Sequence, residues 1–137
     1  MGRWSKEEIE AAFDKFQAAA LTAAKTCDWT EWANCFTEDC AYVEHHYGKM
    51  RGRDRILNWI TETMKPYTFW HMKAFPMAWY SIGADRGWVY CEVRNRMEDL
   101  GDGEIYEEPN ITILHYGGNG MFKCTKKTPI TQPIWAQ

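Results

Sequence analysis

Near Pro66 the apolar residues of this 137-residue chain change their spacing. Before that point most recur every three or four positions, as on a helix face. Beyond it they alternate between glycine-rich turns, as strands require. Ser5-Lys-Glu-Glu8 forms a capping box that opens a helix reaching about Thr26, with Ile9, Phe13, Phe16, Ala20 and Ala24 on one face. Asp28 or Thr30 caps a short second helix carrying Trp32, Cys35 and Phe36. A strand runs from about Cys40 to Tyr47, and Gly48 and Gly52 punctuate a loop. Asp54 then caps a third helix with Ile56, Leu57, Ile60 and Met64 inward, stopped by Pro66. Predicted strands follow over 70–75, 77–82, 87–98, 105–116 and 121–125, with hairpin turns at Asp99–Gly103 and Gly117–Gly120. Helices followed by antiparallel strands are the order of an α+β fold.

The length suits one domain spanning residues 1–137, with a core of its own. Aromatic residues make up 15% of the chain and include eight Trp, enough to wall a core or a cavity with rigid rings. The net charge of −3 and the scattered Lys and Arg argue against nucleic acid as a partner. No run approaches the roughly 18 apolar residues of a membrane span, and the charged N-terminus lacks an apolar signal core. Five Cys without metal spacing read as reduced packing residues, which places the expected setting in the cytoplasm.

The strand near residue 44 carries the most chemistry. Alternation puts Tyr42, Glu44 and His46 on one face and Ala41, Val43, His45 and Tyr47 on the other. By composition alone the Ala/Val face would be the buried one. Placing a carboxyl group inside is costly unless it is paired or used. His45 and His46 cannot both point inward from a regular strand, so one faces solvent or a subunit contact. His71, among the bulky residues of Phe69-Trp-His-Met72, is a second imidazole that could reach a carboxylate. On a later strand, Asn95 is the polar member of the apolar stripe Val89, Cys91, Val93, Asn95 and Met97. It could orient a ligand oxygen there.

Phe-Thr-Glu-Asp at 36–39, the Gly-Arg-Asp helix start at 52–54 and the long hairpin over 87–116 resemble the SnoaL-like branch of the nuclear transport factor 2-like superfamily. The resemblance covers roughly residues 5–123. It implies a cone-shaped α+β barrel, in which a bent mixed sheet wraps around the N-terminal helices and leaves a deep pocket at its open end. It also implies a homodimer or higher homo-oligomer. The superfamily holds cyclases, isomerases, dehydratases, epoxide hydrolases and binders without activity, so fold alone does not select a reaction.

The resemblance turns the Tyr42/Glu44 face inward, because these residues match positions where the epoxide hydrolases carry a Tyr and an Asn that hold the attacking water. Asn95 matches an essential Asp of those enzymes, and Val93 replaces the Arg beside it. An amide cannot transfer the proton that a carboxylate handles, which disfavours that particular mechanism. The expected catalytic set is Glu44 as acid or base with His45 or His71 as partner. The expected ligand-binding set is Tyr42, Asn95, Trp70, Trp79, Val93 and Ile113. No metal or cofactor is expected. The expected ligand is a small, apolar, oxygenated molecule, and the expected chemistry is isomerisation, dehydration, cyclisation or hydration. The alternative is a non-catalytic binding or dimerisation module.

The end of the chain departs from the resemblance. Relatives finish with an acidic, aromatic segment, whereas residues 125–137 here are basic and proline-containing. One permitted set of codons for Cys124–Trp135, moved by two nucleotides, reads Tyr-Glu-Glu-Asp-Ala-Tyr-Asn-Pro. The tail is therefore expected to come from a shifted reading frame, with loss of pocket carboxylates. The codons of the gene decide this.

Overall fold

The computed structural model describes residues 2–44, 47–65, 72–97, 101–105 and 107–129. The order is α1 (Lys6–Thr26), α2 (Thr30–Ala33), β1 (Phe36–Glu44), β2 (Gly48–Arg51), α3 (Arg53–Thr63), β3 (Met72–Ala74), β4 (Met77–Gly83), β5 (Trp88–Met97), β6 (Glu107–Gly118) and β7 (Met121–Pro129). The seven strands form one sheet in the order β2-β1-β7-β6-β5-β3, with β4 also pairing to β5. β1 and β7 are parallel and the other pairs antiparallel, so the sheet is mixed. α1 packs on β3 and β4, and α3 on β1 and β2, which gives the helices-over-sheet cone expected of the sequence.

Helix starts show which local signals operate. Ser5 Oγ accepts from the Glu8 backbone N–H at 3.1 Å, as the capping box predicts. α3 starts earlier than expected. Its cap is Gly52 at φ 98°, without a side-chain bond, and Asp54 lies inside the first turn. Positive φ is open to glycine at little cost, so Gly52 can turn the chain from strand directly into helix. The next residue, Arg53, donates from Nε and Nη2 to the Phe36 carbonyl at 2.9 and 2.6 Å, tying the helix to the start of β1.

The Phe-Thr-Glu-Asp segment, ahead of the strand expected from Cys40, is the first half of β1, with Phe36 and Cys40 buried while Glu38 and Asp39 face water. The loop punctuated by Gly48 and Gly52 contains a short strand, β2, paired to β1. β7 extends past its predicted end at 125 to Pro129. The first residues of the atypical tail therefore belong to the sheet.

The core is a ring cluster where α1, α2, β1 and β7 meet. Phe16, Trp32, Phe36, Tyr42 and Phe122 make edge-to-face or tilted contacts, with centroids 5.0–6.1 Å apart where they touch. Among the described residues no helix is long and apolar enough to cross a membrane. Phe36 is fully buried and touches three of these rings, so Phe36→Ala leaves a cavity that rigid neighbours cannot fill. The expected loss is about 3–5 kcal/mol in a urea or guanidinium unfolding titration. A loss under about 1 kcal/mol would mean that the cluster is not the organising core.

Candidate functional site

Between the helices and the concave face of the sheet lies a cavity of about 520 Å3, within the roughly 300–1,000 Å3 common for small-molecule sites. Phe16 and Leu21 of α1, Trp29, Trp32 of α2 and Phe75 give it apolar walls. Tyr42, Glu44, Asn95, Asn110, Thr112 and Lys127 bring polar atoms to the sheet side.

Strand register places these polar groups. Glu44 of β1 stands opposite Lys127 of β7, Lys127 opposite Thr112 of β6, and Thr112 opposite Cys91 of β5. The next row reads Tyr42, Thr125, Leu114 and Val89, all fully buried. One row therefore forms a floor, and the row beside it carries a carboxylate, an ammonium, a hydroxyl and a thiol. Neighbouring strands lie about 4.8 Å apart, so side chains in one row touch or share a ligand.

Glu44 is 7% exposed, and its Oε2 accepts the Tyr47 backbone N–H at 3.0 Å, which fixes the carboxylate against the turn after β1. Tyr42 packs its ring on Trp59 with centroids 5.2 Å apart. Among the described residues, the Tyr42 hydroxyl and the Trp59 indole N–H are both buried without a partner at hydrogen-bond geometry. Burial pushes the Tyr42 phenol above its ordinary range; the nearby Lys127 ammonium opposes that rise, and Glu44 adds to it. Thr112 Oγ1 donates to Asn110 Oδ1 at 2.7 Å, leaving the Asn110 amide N–H2 for other acceptors.

Cys91 is the nucleophile type in this row, but burial pushes its thiol up to about 12. Lys127 and a backbone hydrogen bond at Thr112 pull it down but do not offset that burial, and the Sγ–H donation to the Thr112 carbonyl at 3.4 Å keeps the proton on sulfur. At neutral pH it stays a thiol, which cannot serve as an attacking sulfur. Among the described residues no group of three His, Cys, Asp or Glu side chains is arranged to hold a metal ion.

Of the residues singled out from sequence, Tyr42, Glu44, Val93 and Asn95 all line the cavity. The inward face of β1 is the Tyr42/Glu44 face, and Ala41 and Val43 are only half-buried. His45, Trp70 and His71 lie outside the described residues. Two assignments are corrected. Trp79 is 46% exposed on β4, and Ile113 alternates with the inward residues Thr112 and Leu114, so neither lines the cavity. Aromatic and branched residues suit a strand on either face, so residue type alone does not say which face meets the cavity.

Sequence reasoning missed Asn110, Thr112 and Lys127. The first two follow from alternation along β6, once its inward phase is known. Lys127 does not follow. Phe122 points inward, so plain alternation would send Lys126 inward and Lys127 outward. Irregular pairing with β6 around Tyr116 and Gly118, and with β1 between Phe36 and Ala41, shifts the phase. Thr125 is then buried, Lys126 exposed, and Lys127 faces the cavity.

Comparison with known proteins places this geometry. A family model described as a SnoaL-like domain matches residues 6–98. No curated protein matches the sequence. A nuclear transport factor 2-like protein from Anabaena variabilis superposes with a TM-score of 0.68 at 12% identity, covering 96% of each chain. An LEH-like epoxide hydrolase from M. tuberculosis superposes at 0.61 with 12% identity, over 88% of this chain and 81% of its own. A Catenulispora acidiphila protein with a ketosteroid isomerase-like fold, in complex with trimethylamine, reaches 0.60 at 17% identity, over 83% and 84%. At such identities the likeness extends to the fold alone.

The state of Cys91 can be tested directly. In native protein at pH 7.5, iodoacetamide is expected to label exposed Cys27 and leave Cys91 unmodified, as read by peptide mass mapping. Equal labelling of the two would show that the pocket thiol is reactive.

Proposed function

The chain belongs to the SnoaL-like domain family, and from that membership we propose a pocket protein that performs general acid/base chemistry on an apolar, oxygenated small molecule. The reaction is an isomerisation, dehydration, cyclisation or hydration and uses no cofactor. The observation that carries this reading is Glu44, a buried carboxylate at the wall of an aromatic cavity, oriented by the Tyr47 backbone N–H.

Glu44 moves the proton. Its Oε2 is held by the turn, and the carboxylate needs no large rearrangement to meet a substrate C–H or O–H beside β1. Tyr42 and Asn95 hold the oxygen on which charge develops, and Lys127, opposite Glu44, adds a positive charge to that wall. His45 or His71 serves as the proton partner of Glu44. Water is limited by the rings of Trp29, Trp32 and Phe75.

One observation favours a second reading, a binder without activity. Asn95 puts an amide where a second carboxylate would complete a proton relay, and an amide does not titrate near neutral pH. A homodimer in the cytoplasm accompanies both readings. Exposed Trp79 and Tyr80 on β4 support a subunit contact, and the mass in solution decides it.

Conversion of apolar ketones, epoxides and alcohols, followed by mass spectrometry, is the way to find the substrate. For a turned-over compound, Glu44→Gln is expected to lower kcat by about a hundredfold or more with an unchanged unfolding midpoint. Undiminished turnover would remove Glu44 as the base. Tight binding without conversion across the set would favour the binder.

A further inference from the structure

We propose that the cavity holds the carbonyl oxygen of an uncharged ligand, such as a ketone or ester, and that Asn110, set in place by Thr112, is the donor that selects it. The inference rests on the cavity being the ligand site and goes further by naming the kind of oxygen received beside Asn95.

Three observations converge. The first is the direction of one amide. Asn110 is 3% exposed and lines the cavity, and the Thr112 hydroxyl donates to its Oδ1 at 2.7 Å. With its oxygen taken, what Asn110 has left to offer the cavity is its N–H2. The second is the row in which it stands. Asn110 pairs across the sheet with Val93 on one side and Pro129 on the other, and neither side chain is an acceptor. Asn95, also on the cavity wall, lies diagonally across the β5–β6 pair, at the roughly 7–8 Å that such neighbours keep. One oxygen between the two side chains can take a hydrogen bond from each amide, and a carbonyl has two lone pairs for them. The third is the balance of donors and acceptors elsewhere on the wall. Among the described residues, the Tyr42 hydroxyl and the Trp59 indole N–H are buried without a partner at hydrogen-bond geometry. Buried donors are costly to leave unpaired, so this wall calls for acceptors.

Charge does not enter the selection. Glu44 and Lys127 stand opposite one another in the next row, one charge of each sign, and Arg96 is itself engaged. An ion beside Asn110 would lose its hydration without gaining a free counter-charge, whereas a carbonyl gives up far less. A hydroxyl would add one more hydrogen to a wall that already has donors to spare. Thr112 acts as a positioning residue, because without its hydroxyl the amide can turn its oxygen toward the ligand.

Four probes with one ring system test this: 2-acetylnaphthalene, its alkene analogue 2-isopropenylnaphthalene, 1-(2-naphthyl)ethanol and 2-naphthoate, titrated against the full chain by calorimetry. Asn110→Leu is expected to weaken the ketone about three- to tenfold and to leave the alkene unchanged. Thr112→Val should act in the same direction, and Thr112→Ser should preserve ketone binding. A merely structural role would move ketone and alkene together. With an isotope-labelled carbonyl, the infrared stretch of the bound ketone is expected below its value in hexane, and back near that value in Asn110→Leu. A ketone-to-alkene ratio that survives both Asn110→Leu and Thr112→Val, or a hexane-like stretch on the unmodified chain, overturns the carbonyl inference and leaves the pocket reading standing. Tighter binding of the alcohol or the carboxylate than of the ketone does the same. Failure of all four to bind overturns both. Thr112→Val keeps the shape of the side chain, so the test holds even if Asn110→Leu does not fold.

Discussion

The parallel pairing of β1 with β7 is the contact on which the rest of the molecule depends. It joins Ala41–Glu44 to Cys124–Lys127, segments separated by most of the chain. Closing so long a loop costs entropy before any contact forms. The aromatic cluster of Phe16, Trp32, Phe36 and Phe122 at one end of the pair offsets that cost by removing large rings from water. Arg53 adds two charge-assisted hydrogen bonds to the Phe36 carbonyl at the same place. Without this seam β1 would be an edge ribbon with β2, and Glu44 would have neither Lys127 nor the cavity beside it.

The same aromatic density serves two purposes. Where rings meet edge to face around Phe36 they fill space. Where Trp29, Trp32 and Trp59 line the cavity they hold it open, because stiff rings with few rotamers do not collapse inward. Into this hollow the sheet presents polar atoms in register, and burial changes what each can do. Cys91 is held as an unreactive thiol and Tyr42 as a neutral phenol that can donate. In the proposed reaction, proton chemistry is left to the carboxylate of Glu44. The basic tail that departs from the family pattern is therefore not outside the site, because its second lysine is part of the cavity wall.

The sequence by itself determined the α+β order, the capping box at Ser5 and the polar place of Asn95 in its apolar stripe, and its resemblance to the family turned Tyr42 and Glu44 inward. These follow from short-range signals: helix period, strand alternation, and motifs of adjacent residues. Composition alone pointed the wrong way on β1, where Ala41 and Val43 looked like the buried side. Tertiary structure decided which face of each strand meets the helices, and so moved Trp79 and Ile113 out of the cavity. It also decided Lys127, whose inward direction depends on irregular pairing with two other strands. A period-2 pattern carries no record of such a shift, because the phase of a strand is set by its neighbours and not by its own residues.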